Sequence, residues 1–258
     1  NMLDGGFTCC VGSSMESHAL HGHGLYYEAG DKLWVNLYAP STAQWPAAGV
    51  KLDMQTDFPA GESATLQLTV DSPQEFTIAL RRPFWAGAGW SVKINGEALA
   101  VESPAAARSA GGDARRGTSS STPPASSFVE VKRTWQTGDT IALTLPKTLR
   151  LEPLPDNPRR VAILWGPLVL AGDLGPDGDV RGREPGVNPL DQVPVFVAAE
   201  RPVADWLKPV PGKPGCFRSE GVGKDREVDF VPFYQLHRRT YGIYWDLFTT
   251  SLDFSTAQ

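Results

Sequence analysis

Leu33-Trp34-Val35-Asn36-Leu37-Tyr38 sets Leu33, Val35 and Leu37 against Trp34, Asn36 and Tyr38, the period-two pattern of a strand with one buried face. Upstream the pattern is different. Gly12-Ser13-Ser14-Met15-Glu16-Ser17-His18-Ala19-Leu20-His21 offers serine at an N-cap and a carboxylate close behind it, and Gly22 and Gly24 follow. A short helix is predicted there, ending before Leu33. Downstream, strand signals recur at Val50–Thr56, Ala64–Val70, Phe76–Arg81, Ser91–Ile94, Phe128–Arg133, Thr140–Leu145 and Val161–Leu170. That spacing is the rhythm of a β-sandwich. Asn95-Gly96 predicts a two-residue type I′ hairpin, because both central residues of that turn need positive φ. Gly138-Asp139 predicts a second turn. The expected fold is therefore mainly β, with a short helical segment ahead of β-sandwich modules.

Two stretches interrupt the pattern. Residues 102–127 are almost entirely Ala, Ser, Gly, Pro and Arg, too poor in apolar side chains to offset the entropy of ordering them, and are expected to form a mobile loop between two strands. Asp173 to Pro189 is rich in Pro and Gly and reads as a module boundary. The expected organisation is a helical segment over residues 1–40, a β-sandwich over 41–172 and a small C-terminal β module over 173–258. Val193–Ala198, Val228–Phe233 and Tyr241–Trp245 are the expected strands of the last.

Composition excludes several functions. A formal net charge of -5 over 258 residues leaves no basic surface for phosphate contacts, so nucleic acid is not an expected partner. The longest apolar run, Val161 to Gly172, is far short of the ~20 residues that span a bilayer, so no membrane partner is expected either. Asn1-Met2-Leu3-Asp4-Gly5-Gly6 has neither the charged and apolar order of a signal peptide nor an initiator Met.

The three cysteines are Cys9, Cys10 and Cys216. Cys216 stands alone and reads as an ordinary thiol. Adjacent Cys9 and Cys10 would strain any disulfide between them. They precede the predicted helix N-terminus, and a helix N-terminus favours thiolate over thiol. Two neighbouring thiolates repel unless a cation sits between them, and zinc is the usual one. Against this stands the simpler reading of two buried reduced thiols. A closed zinc site takes four ligands, so the pair is at most half of one. Glu16, His18, His21 and His23 are the local candidates for the rest, and the alternative is ligands from elsewhere in the polypeptide.

Phe7-Thr8-Cys9-Cys10-Val11-Gly12-Ser13-Ser14-Met15-Glu16-Ser17-His18, followed by Leu33-Trp34-Val35-Asn36-Leu37-Tyr38-Ala39-Pro40-Ser41, closely resembles the β-L-arabinofuranosidases of glycoside hydrolase families 127 and 146. Leu149 to Pro158, Gly166 to Gly172 and Pro232-Phe233-Tyr234-Gln235-Leu236-His237 extend the resemblance, above all to the family 146 branch. It implies an N-terminal (α/α)6 barrel followed by β-sandwich modules, so that residues 1–40 would be the last piece of a barrel whose remainder is missing from this sequence. The resemblance also implies a zinc ion (Zn2+) held by one Glu and three Cys, with the first cysteine of the adjacent pair as nucleophile. Carried over, Cys9 would be nucleophile and zinc ligand and Cys10 a ligand. The family's acid/base Glu lies upstream of the pair, and no residue here matches it; Glu16 and Glu28 follow the pair and are not assigned that role, Glu16 being read instead as support for the helix N-terminus. The implied substrate is an L-arabinose-containing oligosaccharide or polysaccharide of plant cell walls, handled in a bacterial periplasm or cytoplasm. Trp34, Trp45, Trp85 and Trp90 could stack on sugars, although aromatics among strands are mostly core. The competing function is a non-catalytic module that binds carbohydrate or braces a barrel.

Overall fold

A computed structural model describes residues 9–86, 89–101, 127–176, 193–224 and 226–249. The expected loop at 102–127 lies outside the described residues except at Ser127, as do most of Asp173 to Pro189 and the side chains of Cys9, Cys10 and Val11. The chain divides into two units, Asn1–Leu145 and Pro146–Gln258.

The first unit opens with a helix, α1 (Cys9–Ala19), and a 3-10 turn over His21–Gly24. Two sheets follow. One holds β1 (Tyr26–Ala29), β2 (Lys32–Val35), β6 (Gln74–Arg82) and β9 (Ser127–Trp135) in that spatial order. The other runs β3 (Ser41–Trp45), β4 (Val50–Thr56), β5 (Ser63–Val70), β10 (Thr140–Thr144), β7 (Ser91–Ile94) and β8 (Glu97–Ala98). Their inward residues form one cluster: Leu33, Val35, Phe76, Ile78, Leu80, Val131 and Trp135 from the first sheet, and Leu52, Leu66, Leu68, Val92, Ile141 and Leu143 from the second. Burial alternates cleanly along β4 and β5, as the period-two reading expects of strands with one wet face. Trp135 donates its indole N–H to the Phe76 carbonyl at 3.0 Å, which satisfies the polar atom of a fully buried ring.

Strand β6 is buried on both faces between Phe76 and Leu80. Its pairing with β2 is parallel and with β9 antiparallel. Lys32 and Glu130, one from each neighbour, meet at 2.7 Å, and their registers against Thr77 and Ala79 place this ion pair across the outer face of β6. This pairing also changes the expected division of the chain. Residues 26–35 belong to the sandwich rather than to a helical segment ending at residue 40, because β2 stands between β1 and the central strand β6 of its sheet.

The alternation that opens at Leu33 stops at Val35. Leu33 and Val35 are buried, but Leu37 is exposed and Tyr38 is buried, the reverse of the expected phase. The cause is a bulge: the amides of Asn36 and Leu37 both donate to the Leu25 carbonyl, at 2.9 and 3.3 Å, so two residues oppose one and the faces exchange.

The two turns expected from sequence are present and locked together. Asn95 and Gly96 take φ of 51° and 87°, as a type I′ turn requires, and Gly138 takes 94°. Asn95 Nδ2 donates to Asp139 Oδ1 at 2.7 Å, the Gln136 amide donates to Asp139 Oδ2 at 3.0 Å, and the Thr140 amide donates to Asn95 Oδ1 at 2.8 Å. Asp139 is thereby buried with its carboxylate satisfied.

The second unit starts well before the expected boundary at residue 173. Its sheet includes β11 (Leu149–Pro153), β12 (Arg160–Trp165), β13 (Leu168–Pro176), β17 (Asp229–Pro232), β18 (Arg239–Gly242) and β19 (Tyr244–Phe248), with the short β14 (Phe196–Val197), β15 (Leu207–Pro209) and β16 (Phe217–Ser219) at its margins. The run Val161 to Leu170 is a hairpin rather than one strand: Gly166 at φ 57° turns the chain, and Ile163 pairs with Leu170. Tyr241 to Trp245 likewise splits, with β18 pairing to β13 and β19 to β12. A four-residue helix, α2 (Val203–Trp206), contributes Trp206 to a core in which Phe196, Phe230 and Trp245 pack with ring centroids 5.1 to 6.0 Å apart. The indole of Trp245 lies in a notch cut by two glycines. A Cβ on Gly172 would stand 2.3 Å from Trp245 Cζ2, and one on Gly242 would stand 3.0 Å from the same atom.

Candidate functional site

Cys9 and Cys10 are the first two residues of α1, so they occupy its first turn instead of preceding it. The sequence reading started the helix later because Ser13 and Ser14 resemble caps; both are helical, interior to the first two turns. The backbone amides of a helix's first turn lack intrahelical partners and carry partial positive charge, which is where a thiol is most readily ionised. Glu16 does not support that terminus. It is exposed and two turns in, and no acidic residue lies in the first turn.

The histidines gather at the other end. His18 lies in the last turn of α1 and His21 in the 3-10 turn, with ring centroids 5.1 Å apart at 71°, and both are exposed, as is His23. From Cys10 to His18 the helix rises about 12 Å at 1.5 Å per residue, too far for one tetrahedral ion with ligand bonds near 2 Å. A self-contained site of both cysteines with His18 is thus excluded by the helix itself. Among the described residues no group of three or more His, Cys, Asp or Glu is placed to hold a metal ion. Cys216 is a free, half-buried thiol.

The segment after α1 is tied to the sandwich by contacts that sequence reasoning did not single out. Leu20 N donates to Ser17 O, His23 N to Leu20 O and Leu25 N to Gly22 O, a stair of tight turns with N to O distances of 3.0 to 3.3 Å. Asn36, displaced by the bulge, donates Nδ2 to the Gly24 carbonyl at 2.7 Å and accepts from Arg81 Nη1 at its Oδ1, 2.9 Å. Tyr38 donates its hydroxyl to the Arg81 carbonyl at 2.6 Å. Burial pushes the Tyr38 phenol far above its ordinary pKa, with the Arg81 charge opposing weakly, so it remains a donor. Tyr26, hydrogen-bonded to Ser41 at 2.9 Å, is raised for the same reason. The only sequence signal for this network is a polar Asn in a strand otherwise filled with large side chains.

Of the tryptophans weighed as sugar platforms, Trp45 and Trp90 are buried core. Trp85 stacks on Phe58, centroids 5.6 Å apart, and Trp34 lies under the Lys32 ammonium.

Residues 32–147 match the family model of the middle domain of GH127 beta-L-arabinofuranosidases, and residues 150–247 match a domain of unknown function, DUF4986. No functionally curated protein matches the chain by sequence. Among solved structures, the chain resembles a GH127 beta-L-arabinofuranosidase from Geobacillus stearothermophilus T6, with 18% identity and a TM-score of 0.58 over 93% of this chain and 37% of that one. A structure described as a glycoside hydrolase gives 16% identity and a TM-score of 0.60 over 93% and 40%. A GH127 beta-arabinofuranosidase gives 17% and 0.54 over 86% and 36%. The chain thus spans well under half the length of each of these structures. The match at 32–147 covers the sandwich from β2 through β10, and the second match covers the sheet from β11 almost to the end of β19. Residues 32–147 thus match the middle domain of glycoside hydrolase family 127, and the likeness of the chain to these solved structures is one of fold.

Proposed function

We propose that the full-length protein is a retaining β-L-arabinofuranosidase acting on L-arabinose-containing glycans of plant cell walls, with Cys9 as its nucleophile. The observation that supports this most directly is the match of residues 32–147 to the GH127 middle domain, with the Cys9-Cys10 pair at the start of the helix just upstream. In this reading Cys9 Sγ attacks the anomeric carbon as the bond to the departing oxygen breaks, and an acid/base Glu outside this sequence protonates that oxygen. Water then cleaves the carbon–sulfur bond and regenerates the thiolate, so two inversions give net retention. The free amides of the first turn of α1 favour the ionised sulfur before attack and as it departs.

The donor set suits zinc, since adjacent thiolates are soft ligands at a helix end, and Cys9 with Cys10 would supply two of four positions. When bound, that ion would hold the Cys9 thiol deprotonated at neutral pH. The other two ligands come, in this reading, from the missing N-terminal barrel. The 258 residues alone are expected to be inactive, their sandwich bracing the catalytic barrel.

The test compares this chain, the full-length protein and its Cys9→Ala variant for release of L-arabinose from an aryl β-L-arabinofuranoside, with bound zinc measured in parallel. Activity and zinc are expected only with full length, and Cys9→Ala should lower kcat by more than about a thousandfold. An active Cys9→Ala enzyme would refute the nucleophile assignment. Activity in the isolated chain would refute an acid/base outside it.

A further inference from the structure

Resting on that reading of Cys9, we propose that Asn36, oriented by Arg81, is a positioning residue that fixes where the first turn of α1 stands. Its contacts run in one direction. Arg81 lies near the end of β6, the doubly buried central strand, and its backbone carbonyl is held by the buried Tyr38 hydroxyl. Its guanidinium takes Asn36 Oδ1, which leaves the Asn36 amide nitrogen as the donor to the Gly24 carbonyl. The backbone of Asn36 also holds Leu25, so residues 24 and 25 are gripped from both side chain and main chain of one residue. From there the bonds of Leu25 N to Gly22 O, His23 N to Leu20 O and Leu20 N to Ser17 O carry the chain of contacts into α1. Bulge, asparagine and arginine together connect the sandwich sheet to the C-terminal end of the helix.

The lever arm makes this matter. Ten steps of 1.5 Å make α1 about 15 Å long, so a tilt of about 4° at its C-terminal end moves Cys9 by about 1 Å. A shift of about 1 Å in a reacting group can lower rate on the order of a hundredfold. Fold stability depends much less on this contact, because Gly24 and Asn36 are only half-buried at the rim of the core.

The experiment uses the full-length enzyme with Asn36→Asp, which keeps the side-chain shape and the Arg81 partner but turns the donor facing Gly24 O into an acceptor, and with Asn36→Ala and Arg81→Lys. Hydrogen exchange, kcat, KM and Tm are read together. Exchange of peptides covering residues 9–25 should accelerate about tenfold or more in Asn36→Asp and Asn36→Ala, while peptides from β4 and β5 stay unchanged. We expect kcat to fall roughly 10- to 100-fold with KM within about threefold and Tm within about 3 °C, and Arg81→Lys to fall between them and wild type. Unchanged exchange over residues 9–25 would overturn the anchoring. Faster exchange with an unchanged kcat, in an enzyme that Cys9→Ala inactivates, would overturn the positioning role. If Cys9→Ala is itself active, the nucleophile assignment fails instead, and the exchange data alone decide whether Asn36 anchors the helix.

Discussion

The notch that receives Trp245 sets up a sharp test of the second unit's core. A methyl group added by Gly172→Ala would stand 2.3 Å from Trp245 Cζ2 and 2.7 Å from Cη2, where ordinary carbon contacts lie near 3.5 to 4.0 Å. The ring cannot retreat freely. Trp245 is fully buried, with Phe196 at 5.1 Å and Phe230 at 5.2 Å between centroids, and the new methyl would also meet Val228 Cγ1 at 2.8 Å. A shift of more than 1 Å in such a core puts the cost at the upper end of overpacking, about 3 kcal/mol. Both clashing ring atoms belong to the six-membered half of the indole, so Trp245→Phe, which costs about 2 kcal/mol in lost burial and cavity, should also relieve most of the clash. The two substitutions are therefore expected to couple: Gly172→Ala should cost about 3 kcal/mol alone and about 1 kcal/mol beside Trp245→Phe. Scanning calorimetry reads this as a fall near 12 °C in the transition of the second unit for the single variant, and a much smaller further fall in the double. Equal costs in both backgrounds would refute the packing argument.

Two further outcomes follow from the buried polar groups of the first unit. Asp139→Ala should destabilise by about 2 to 3 kcal/mol in urea unfolding, because it strands Asn95 Nδ2 and the Gln136 amide at the joint between two turns. Tyr38 gives a pH signature. Burial raises its folded pKa above the ordinary tyrosine value, so its stabilisation is complete below the unfolded pKa and is lost as pH rises above about 10, where only the unfolded chain ionises. Melting temperatures between pH 8 and pH 11.5 should therefore fall more steeply for wild type than for Tyr38→Phe; parallel curves would contradict it.

The sequence is most legible where pattern and turn chemistry agree. Val50–Thr56 and Ser91–Ile94 are predicted to the residue, since clean alternation and an Asn-Gly turn leave one register. It is least legible where long-range pairing overrides local pattern. The run Val161 to Leu170 is uniformly apolar, and nothing local distinguishes one long strand from two that turn at Gly166. The second module's start is hidden for the same reason, since Leu149 to Gly172 reads like more of the first sandwich while its later partners lie 58 to 86 residues on. At the candidate site, the cysteine pair is visible from residue type and spacing alone. The Asn36 and Arg81 contacts are not, because the bulge that aims Asn36 arises from two amides sharing the Leu25 carbonyl, a pairing that composition does not encode.

The central position of β6 sets a timetable for synthesis. β2 leaves the ribosome first but pairs with residues 77–80, and β6 itself waits for residues 127–135, beyond the long polar insertion. At about 5 to 20 residues per second, the pairing of Leu80 with Val129, 49 positions apart, lags by roughly 2 to 10 s, during which β6 has a strand partner on one side only. The strand on which the helix anchor is built is thus one of the last parts of the sandwich to be completed, and slower translation of residues 102–126 would lengthen the interval in which a nascent chain can be captured by a chaperone or by another copy of itself.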